Sequence, residues 1–407
     1  MKRLLALAVC VAACGSDTVP PGDVPVDEPV YYGQVQRIIN DNCVECHSAD
    51  PDRLAPFALV TYEDSVAAAT DLPMAYDLMN RIMPPFYADQ DNCNTFSNAH
   101  WLSGEDLDTL TTWINGSKLA GDPANTVAPP PPPGGLISKD RTLDIGMDYL
   151  PNTAVADDFR CFVVPALAVD QFLTGVHVKP SNLTVAHHVI LFALDSSAAE
   201  ADVVAKSASG PYECPGGPTQ LGATFLAGWI PGNQATRFPA NTGIPIDGSR
   251  KMVIQVHYNL ANSDSKPDHT TIDLDLEPAV DTPAQIVQMR APVNLQPLQE
   301  DAVTTGTLSI PGPASSTSRI WGSVMHMHQR GTHAKLSLAN REQCVLDLVN
   351  WSFHWQHFYW LDQPIEVHGG DKIQIECGYD TTGDTIPVTF CEGTDCEMCI
   401  AFSYVTN

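Results

Sequence analysis

Five consecutive prolines, Pro129 to Pro133, within the stretch from Gly121 to Gly135, split this chain into two stretches that cannot share one periodicity. A run of this kind has no helical hydrogen bonds and stays extended, spanning about 15 Å as a stiff spacer. Before it, apolar residues recur at helical spacing: Val35, Ile38 and Ile39, then Leu107, Leu110, Trp113 and Ile114 after a Ser103-Gly104-Glu105 start. After it the texture is short β-rich runs, such as Cys161 to Val164, Val189 to Phe192 and Met252 to His257, separated by Gly, Pro, Asn and Asp. The expectation is a helical unit over 31–120, a linker over 121–140, and antiparallel β sandwiches beyond. The remaining stretch, roughly 270 residues, is generous for one sandwich. Two are expected, over 141–280 and 281–407, joined near 275–290. No internal repeat of fixed period is visible.

The 407 residues include 44% hydrophobic and only 17% charged residues, a globular and loop-rich balance. With 48 acidic against 21 basic side chains the formal net charge is -27, which opposes nucleic-acid binding. The start, Met1-Lys2-Arg3 followed by apolar Leu4 to Ala13, is too short to span a bilayer and reads as an export signal over 1–14. It ends Val11-Ala12-Ala13-Cys14-Gly15-Ser16, which resembles a bacterial lipobox. That resemblance implies Cys14 as the lipidated first residue, a polar tether over 15–30, and the outer membrane, the periplasm or the cell surface as location, with a lipid anchor as the only membrane contact. Twelve cysteines in an exported chain imply disulfides and cofactor attachment.

Cys43-Val44-Glu45-Cys46-His47 is a C-x-x-C-H sequence. Two thiols at this spacing can form thioethers with haem vinyl groups, and the following His becomes an axial iron ligand. A zinc or redox CxxC is the alternative; zinc would need more ligands, and only Cys93 is near in sequence. Ile82-Met83-Pro84-Pro85 resembles the Met-Pro loop of small cytochromes c, which implies Met83 as the second axial ligand. Met74 and Met79 read as helix-face core, and Trp113 as packing near the haem. Over roughly ninety residues the segment resembles the cytochrome c family, implying a small all-α domain with one covalently bound c-type haem.

A second group of soft-metal ligands lies in the β region: His187-His188, His257 ending Val-Ile-Gln-Val-His, His326-Met327-His328, and Met398 in Glu397-Met398-Cys399. Strand neighbours point to opposite faces, so His187 and His188 reach one metal only at a strand end, at a bulge, or through different ring nitrogens. The i, i+2 pair His326 and His328 shares a strand face. Imidazoles with a thioether favour copper, and zinc rarely takes Met.

The order HH, VHY, HxH, EMC resembles the copper type II, ascorbate-dependent monooxygenases, from about 145 to the C-terminus. The likeness includes Phe159-Arg160-Cys161, Ala227-Gly228-Trp229 and Gly370-Asp371-Lys372-Ile373. It implies two jelly-roll-like, all-β antiparallel sandwiches holding two copper ions. His187, His188 and His257 would form an electron-transfer site on the first sandwich. His326, His328 and Met398 would form the oxygen-activating site on the second, where the chemistry takes place, across a cleft. The family pattern also implies Cys161–Cys214 and Cys377–Cys399 bridges. Cys93, Cys344, Cys391 and Cys396 stay unassigned, although Cys391 and Cys396 are placed to close a small loop. His333, His354, His357 and His368 read as structural, and the aromatic run Trp351 to Trp360 as core or cleft wall.

The implied reaction is hydroxylation of a small organic substrate with O₂ and an external reductant. The fused haem is expected to relay the electrons. Peptide-amidating relatives hold a substrate carboxylate with polar residues at positions that are Val324, Ile400 and Phe402 here. An uncharged or aromatic substrate is therefore expected. The competing class is a non-catalytic copper and haem protein for electron transfer or copper handling.

Overall fold

The structure is a computed structural model that describes residues 28–49, 55–99, 101–129, 135–261, 263 and 265–407. The export signal, Cys14, most of the tether and Pro130 to Pro133 lie outside the described residues.

The N-terminal unit is helical: α1 Gln36–Asn42, α2 Tyr62–Asp71, α3 Met74–Met79 and α4 Gly104–Asn115. Local chemistry sets the starts. Thr61 and Asp64 form a reciprocal capping box on α2, and the Ser103 side chain accepts from the Asp106 N–H at the start of α4. Leu110, Trp113 and Ile114 of α4 pack on Tyr31, Val35, Ile38 and Ile39, the faces the periodicity picked out. Met74 packs against this core, but Met79 is 57% exposed, contrary to expectation. In six residues α3 makes too few turns for periodicity to define a face.

The β region contains β1 Arg141–Asp144, β2 Asp157–Val164, β3 Gln171–Lys179, β4 Ala186–Leu194, β5 Ala223–Trp229, β6 Thr242–Ile246, β7 Met252–Asn259 and β8 Thr271–Glu277. It continues with β9 Thr282–Arg290, β10 Ala302–Ser309, β11 Thr317–His326, β12 Gly331–Leu338, β13 Gln343–Leu348, β14 Tyr359–His368, β15 Lys372–Tyr379 and β16 Ile400–Thr406. In the first sandwich the sheet β2-β7-β4-β5 faces β1-β8-β3-β6 over a core that includes Phe162, Leu173, Leu191, Ile254 and Leu274. In the second, β9-β16-β11-β14 faces β10-β15-β12-β13 over Met325, Leu336, Leu346, Ile375 and Ala401. β7 is buried at nearly every position because it is a central strand with both faces covered. A helix that the sequence reading did not anticipate, α5 Ser197–Lys206, packs Ala199 and Val203 beside Cys161 and Cys214.

Two features differ from the expected layout. The sandwiches join between Glu277 and Thr282, and they are not separate sheets. β6 and β9 pair in parallel at Thr242–Thr282 and Gly243–Pro283, so one sheet runs through both. Second, part of the expected 31–120 unit is built into the second sandwich. Phe86, Ala88 and Phe96 belong to that core. Ala88 bridges to Leu348 on edge strand β13 and Phe96 to Leu361 on edge strand β14. Asp89 N–H donates to the Asp347 carbonyl at 2.7 Å and Ser97 N–H to the Trp360 carbonyl at 2.8 Å. The strap therefore satisfies one edge from each sheet and closes the open side of the sandwich.

A Cys93–Cys344 disulfide, 251 residues apart in sequence, fixes this strap. Removing it in a Cys93→Ser, Cys344→Ser protein is expected to cost about 2 to 4 kcal/mol. Thermal melting and limited proteolysis check this: the first new cut should fall between 86 and 99. An unchanged melt with no new cut would show that packing alone holds the strap.

Candidate metal centres

β4 solves the problem posed by adjacent histidines. Ala186 pairs with Tyr258 and His188 with His257, so His187 is the extra residue of a bulge. The bulge turns His187 toward the side that His188 already faces. His257 lies between Phe159 and His188 in one cross-strand row and stacks on Phe159 at 4.0 Å. One ring nitrogen from each of His187, His188 and His257 falls within 4.8 Å of the others.

The protonation of this trio suits a cation. His257 Nε2–H donates to Asp157 Oδ1 at 2.9 Å, which leaves the neutral ring's lone pair on Nδ1, 3.3 Å from His188 Nδ1. Burial, then the neighbouring imidazoles, push His187 down to about 2, and the same causes hold His188 well below its ordinary value. Burial also lowers His257, against the pull of Asp157. Burial acts to raise the Asp157 carboxyl, but hydrogen bonds from His257 and Thr394 outweigh it and bring it to about 2. His187 Nδ1 is buried with no hydrogen-bond partner among the described residues, while its ring stacks on Phe353 at 4.4 Å. Three neutral imidazoles with an orphaned buried nitrogen fit a metal ion.

The second set is assembled from β11 and the segment before β16. Met325 and Met327 point into the core, so His326 and His328 share the opposite face, as i, i+2 spacing requires. His326 Nδ1–H donates to Gln356 Oε1 at 2.6 Å and His328 Nδ1–H to the Cys396 carbonyl at 3.0 Å. Both acceptors lack a proton of their own, so each histidine keeps its lone pair on Nε2. Burial lowers both imidazoles, His326 to about 3. Met398 is buried. Its carbonyl accepts from Tyr379 OH at 2.8 Å, and its neighbour Cys399 is bridged to Cys377 on β15. Glu397, fully buried, accepts backbone N–H groups from His328 at 2.8 Å, Arg330 at 2.7 Å and Met398 at 3.3 Å. One carboxylate thus ties the His328 turn to the Met398 segment.

All six expected ligands line a single cavity of about 580 Å³ between the sandwiches. The two sets adjoin: the His188 and His326 ring centroids are 6.1 Å apart. The expected cleft is thus a shared chamber. Its apolar wall includes Val324, Ile400 and Phe402, with Phe402 stacked on Phe225 at 4.8 Å. Phe353, Gln356 and Phe358 show that the aromatic run also forms cavity wall. His354 is exposed with its ring 6.4 Å from His187, and His357 Nδ1 contacts Asn233 Oδ1. His333 lies against Gly378, and His368 is 3.4 Å from Glu366.

Asp157, Phe353, Gln356 and Glu397 were not singled out from the sequence. Phe353 and Gln356 lie in the run Trp351 to Trp360 and Glu397 beside Met398, while Asp157 carried no local signal.

The disulfides include both expected bridges, Cys161–Cys214 and Cys377–Cys399, and also Cys391–Cys396. Among the described cysteines only Cys43 and Cys46 are unbridged. Burial pushes Cys43 up to about 12 and Cys46 to about 11. His47 Nδ1–H donates to the Phe57 carbonyl at 3.0 Å, the tautomer that puts the lone pair on Nε2. Met83 is half-buried after α3, its N–H bonded to the Asp77 carbonyl at 3.2 Å. Trp113 lies in the helical core beside Tyr31, donating from Nε1 to the Leu119 carbonyl at 3.1 Å.

Residues 299–406, which make up most of the second sandwich, match the family model described as copper type II ascorbate-dependent monooxygenase, C-terminal domain. Full-length relatives extend the likeness upstream. Peptidyl-glycine alpha-amidating monooxygenase A of Xenopus laevis is 27% identical over 297 residues, covering 69% of this chain and 29% of that protein. Dopamine beta-hydroxylase of Rattus norvegicus is 26% identical over 247 residues, covering 55% of this chain and 38% of that protein. The chain therefore spans well under half the length of these relatives. Among solved structures, the major capsid protein P2 from bacteriophage PM2 aligns at a TM-score of 0.25 and 9% identity, over 66% of this chain and 97% of that one, a level that carries no argument.

Proposed function

We propose that this chain is a copper-dependent monooxygenase that hydroxylates a C–H bond of a small organic substrate, using O₂ and an external electron donor. The observation that carries the reading is convergence: six soft ligands from four separate segments line one chamber, with four of the five imidazoles held in a defined tautomer or left with an orphaned nitrogen. His187, His188 and His257 would hold one copper ion, and His326, His328 and Met398 the other, the site of the chemistry. When bound, the two coppers supply one electron each to O₂ reduction, one oxygen atom entering the substrate and the other leaving as water. The chain's own part is to position and exclude. Asp157, Gln356 and the Cys396 carbonyl hold imidazole protons away from the chamber. Phe225, Phe402, Val324 and Ile400 cover an apolar substrate body and keep water from it.

The finer assignments extend this reading. Cys43 and Cys46 are assigned as thioether attachment points, with His47 and Met83 as axial ligands, of one c-type haem that supplies one-electron relay. The thiol pair that alone is unbridged among the described cysteines and the His47 tautomer support it. Four disulfides among the described residues support a location outside the cytoplasm. Export with Cys14 as lipid anchor is the matching proposal.

The test is incubation of the copper-loaded full chain with reductant, ¹⁸O₂ and a metabolite extract. The expected results are two coppers per chain, haem absorbance that survives acid extraction, and a product heavier by one ¹⁸O. Copper bound without reductant-dependent O₂ uptake would replace the enzyme reading with electron transfer or copper handling.

A further inference from the structure

The register of the second sandwich reveals a polar edge to the chamber that the motif positions do not reach. β16 pairs with β9 on one side and β11 on the other. Directly opposed residues of antiparallel strands point to one face. This gives two rows, Arg290–Ile400–His326 and Gln288–Phe402–Val324, and all six of these side chains line the chamber. The middle and β11 positions are apolar apart from the ligand His326. The β9 positions are a guanidinium and an amide.

Among the described residues Arg290 is the one Lys or Arg lining the chamber, in a chain of formal charge -27. Among the described residues its side chain has no hydrogen-bond or ion-pair partner, and neither does that of Gln288. The carboxylate that also lines the chamber, Glu392, lies instead against Gly216. Other donors in the chamber wall are spent elsewhere: Gln356 on the Phe353 carbonyl, Gln255 on the Cys214 carbonyl, Trp229 on the Asn233 carbonyl and Thr394 on Asp157. A lone guanidinium at the rim, with its five N–H donors unspent, is matched to a planar oxyanion.

We propose that Arg290, assisted by Gln288, anchors the carboxylate of a substrate whose apolar body lies over Ile400, Phe402 and Val324. The inference rests on the monooxygenase reading of the chamber and names its substrate class: a small aromatic or aliphatic carboxylic acid. It also revises the expectation of an uncharged substrate, which came from Val324, Ile400 and Phe402 alone. Those positions are apolar, but the charge is supplied from the next strand but one. Two strand spacings put the Arg290 and His326 backbones about 10 Å apart. A ring with a two-carbon acid arm spans the gap once the arginine side chain reaches inward. The carboxylate would orient the body so that its far end, not its acid end, meets the His326, His328 and Met398 set.

The test uses 3-phenylpropionate and 3-phenylpropionamide, equal in shape and different in charge. Affinity is measured by calorimetry on the copper-loaded full chain under argon, so no turnover is needed. The wild type is expected to bind the acid roughly tenfold more tightly than the amide. Arg290→Met should bind both at the amide's affinity, Arg290→Lys should retain part of the preference, and Arg141→Met, on the remote strand β1, should retain all of it. No acid preference in the wild type, binding of neither compound, or a preference that survives in Arg290→Met would overturn the proposal. Loss of the preference in Arg290→Met with no oxygenated product from any ligand would leave the anchor standing and remove the monooxygenase reading. Oxygenation with an unaltered preference would do the reverse.

Discussion

Replacing Met398 by isoleucine is expected to lower kcat/KM for hydroxylation at least a hundredfold while leaving the three-histidine set able to bind copper. A hundredfold corresponds to about 2.7 kcal/mol of lost transition-state stabilisation. The side chains are close in volume, and a volume-conserving swap in a packed site costs less than about 1.5 kcal/mol. The fold should survive, since the segment is pinned independently of the side chain. Tyr379 OH holds the Met398 carbonyl, Glu397 its N–H, and Cys377–Cys399 the next residue. What disappears is the soft, weak thioether donor that favours reduced copper beside two imidazoles. Copper per chain, melting temperature and kcat/KM measured on the same preparation check the separation. Turnover within tenfold of wild type would show that Met398 is core packing and not a ligand.

The legibility of this fold in the sequence follows the range of the interactions. Alternation along β11 and the two residues after it places Met325 and Met327 in the core and His326 and His328 on the opposite, chamber side, and nothing beyond neighbouring residues is needed to see it. The helical faces of α1 and α4 are likewise local. The His187–His188 pair stated its own condition, a bulge or strand end, and the register slip at Ala186–His188 meets it. The strap was out of reach for the opposite reason. Its role depends on pairing Ala88 with Leu348 and Cys93 with Cys344, and no local pattern encodes partners some 250 residues away. Phe86 and Phe96 look like ordinary core residues of whichever unit surrounds them in sequence. The parallel contact of β6 with β9 is two residue pairs long and leaves no composition signal.

The site divides along the same line. The proposed ligands stand out in the sequence because soft-metal chemistry restricts residue type and spacing. The residues that set their protonation were not, because any acceptor will serve. An aspartate, an amide and a backbone carbonyl do the same work for His257, His326 and His328. Phe353 stacks on His187 from the other sandwich, a relation only the assembled chamber defines. Arg290 shows the cost of reading a cavity from motif positions alone. The apolar character of Val324, Ile400 and Phe402 was correct, and the polar row beside them lay on a strand no motif marked.

Glu397 offers the sharpest test of how that site is held, since its carboxylate acts on ligands from both segments at once. Glu397→Ala leaves the N–H groups of His328, Arg330 and Met398 buried without acceptors and opens a cavity. The expected loss is about 3 to 5 kcal/mol of stability. Copper affinity at the His326, His328 and Met398 set should fall with it, while the three-histidine set, which Glu397 does not touch, keeps its metal. A second signature separates this from general damage. In the metal-free chain burial raises Glu397 from its ordinary 4.5 to about 7, with the three N–H donors restraining the shift. A folded-state value above the unfolded one means the folded chain binds the proton more tightly. The stability this contributes is complete below about pH 4.5 and is lost as pH rises through 7. The wild-type apo protein should therefore show a decline in melting temperature across that window that Glu397→Ala lacks. Equal pH slopes in the two proteins, or an Ala variant that melts with the wild type and binds two coppers, would show that the Met398 segment is held by its disulfide and Tyr379 alone.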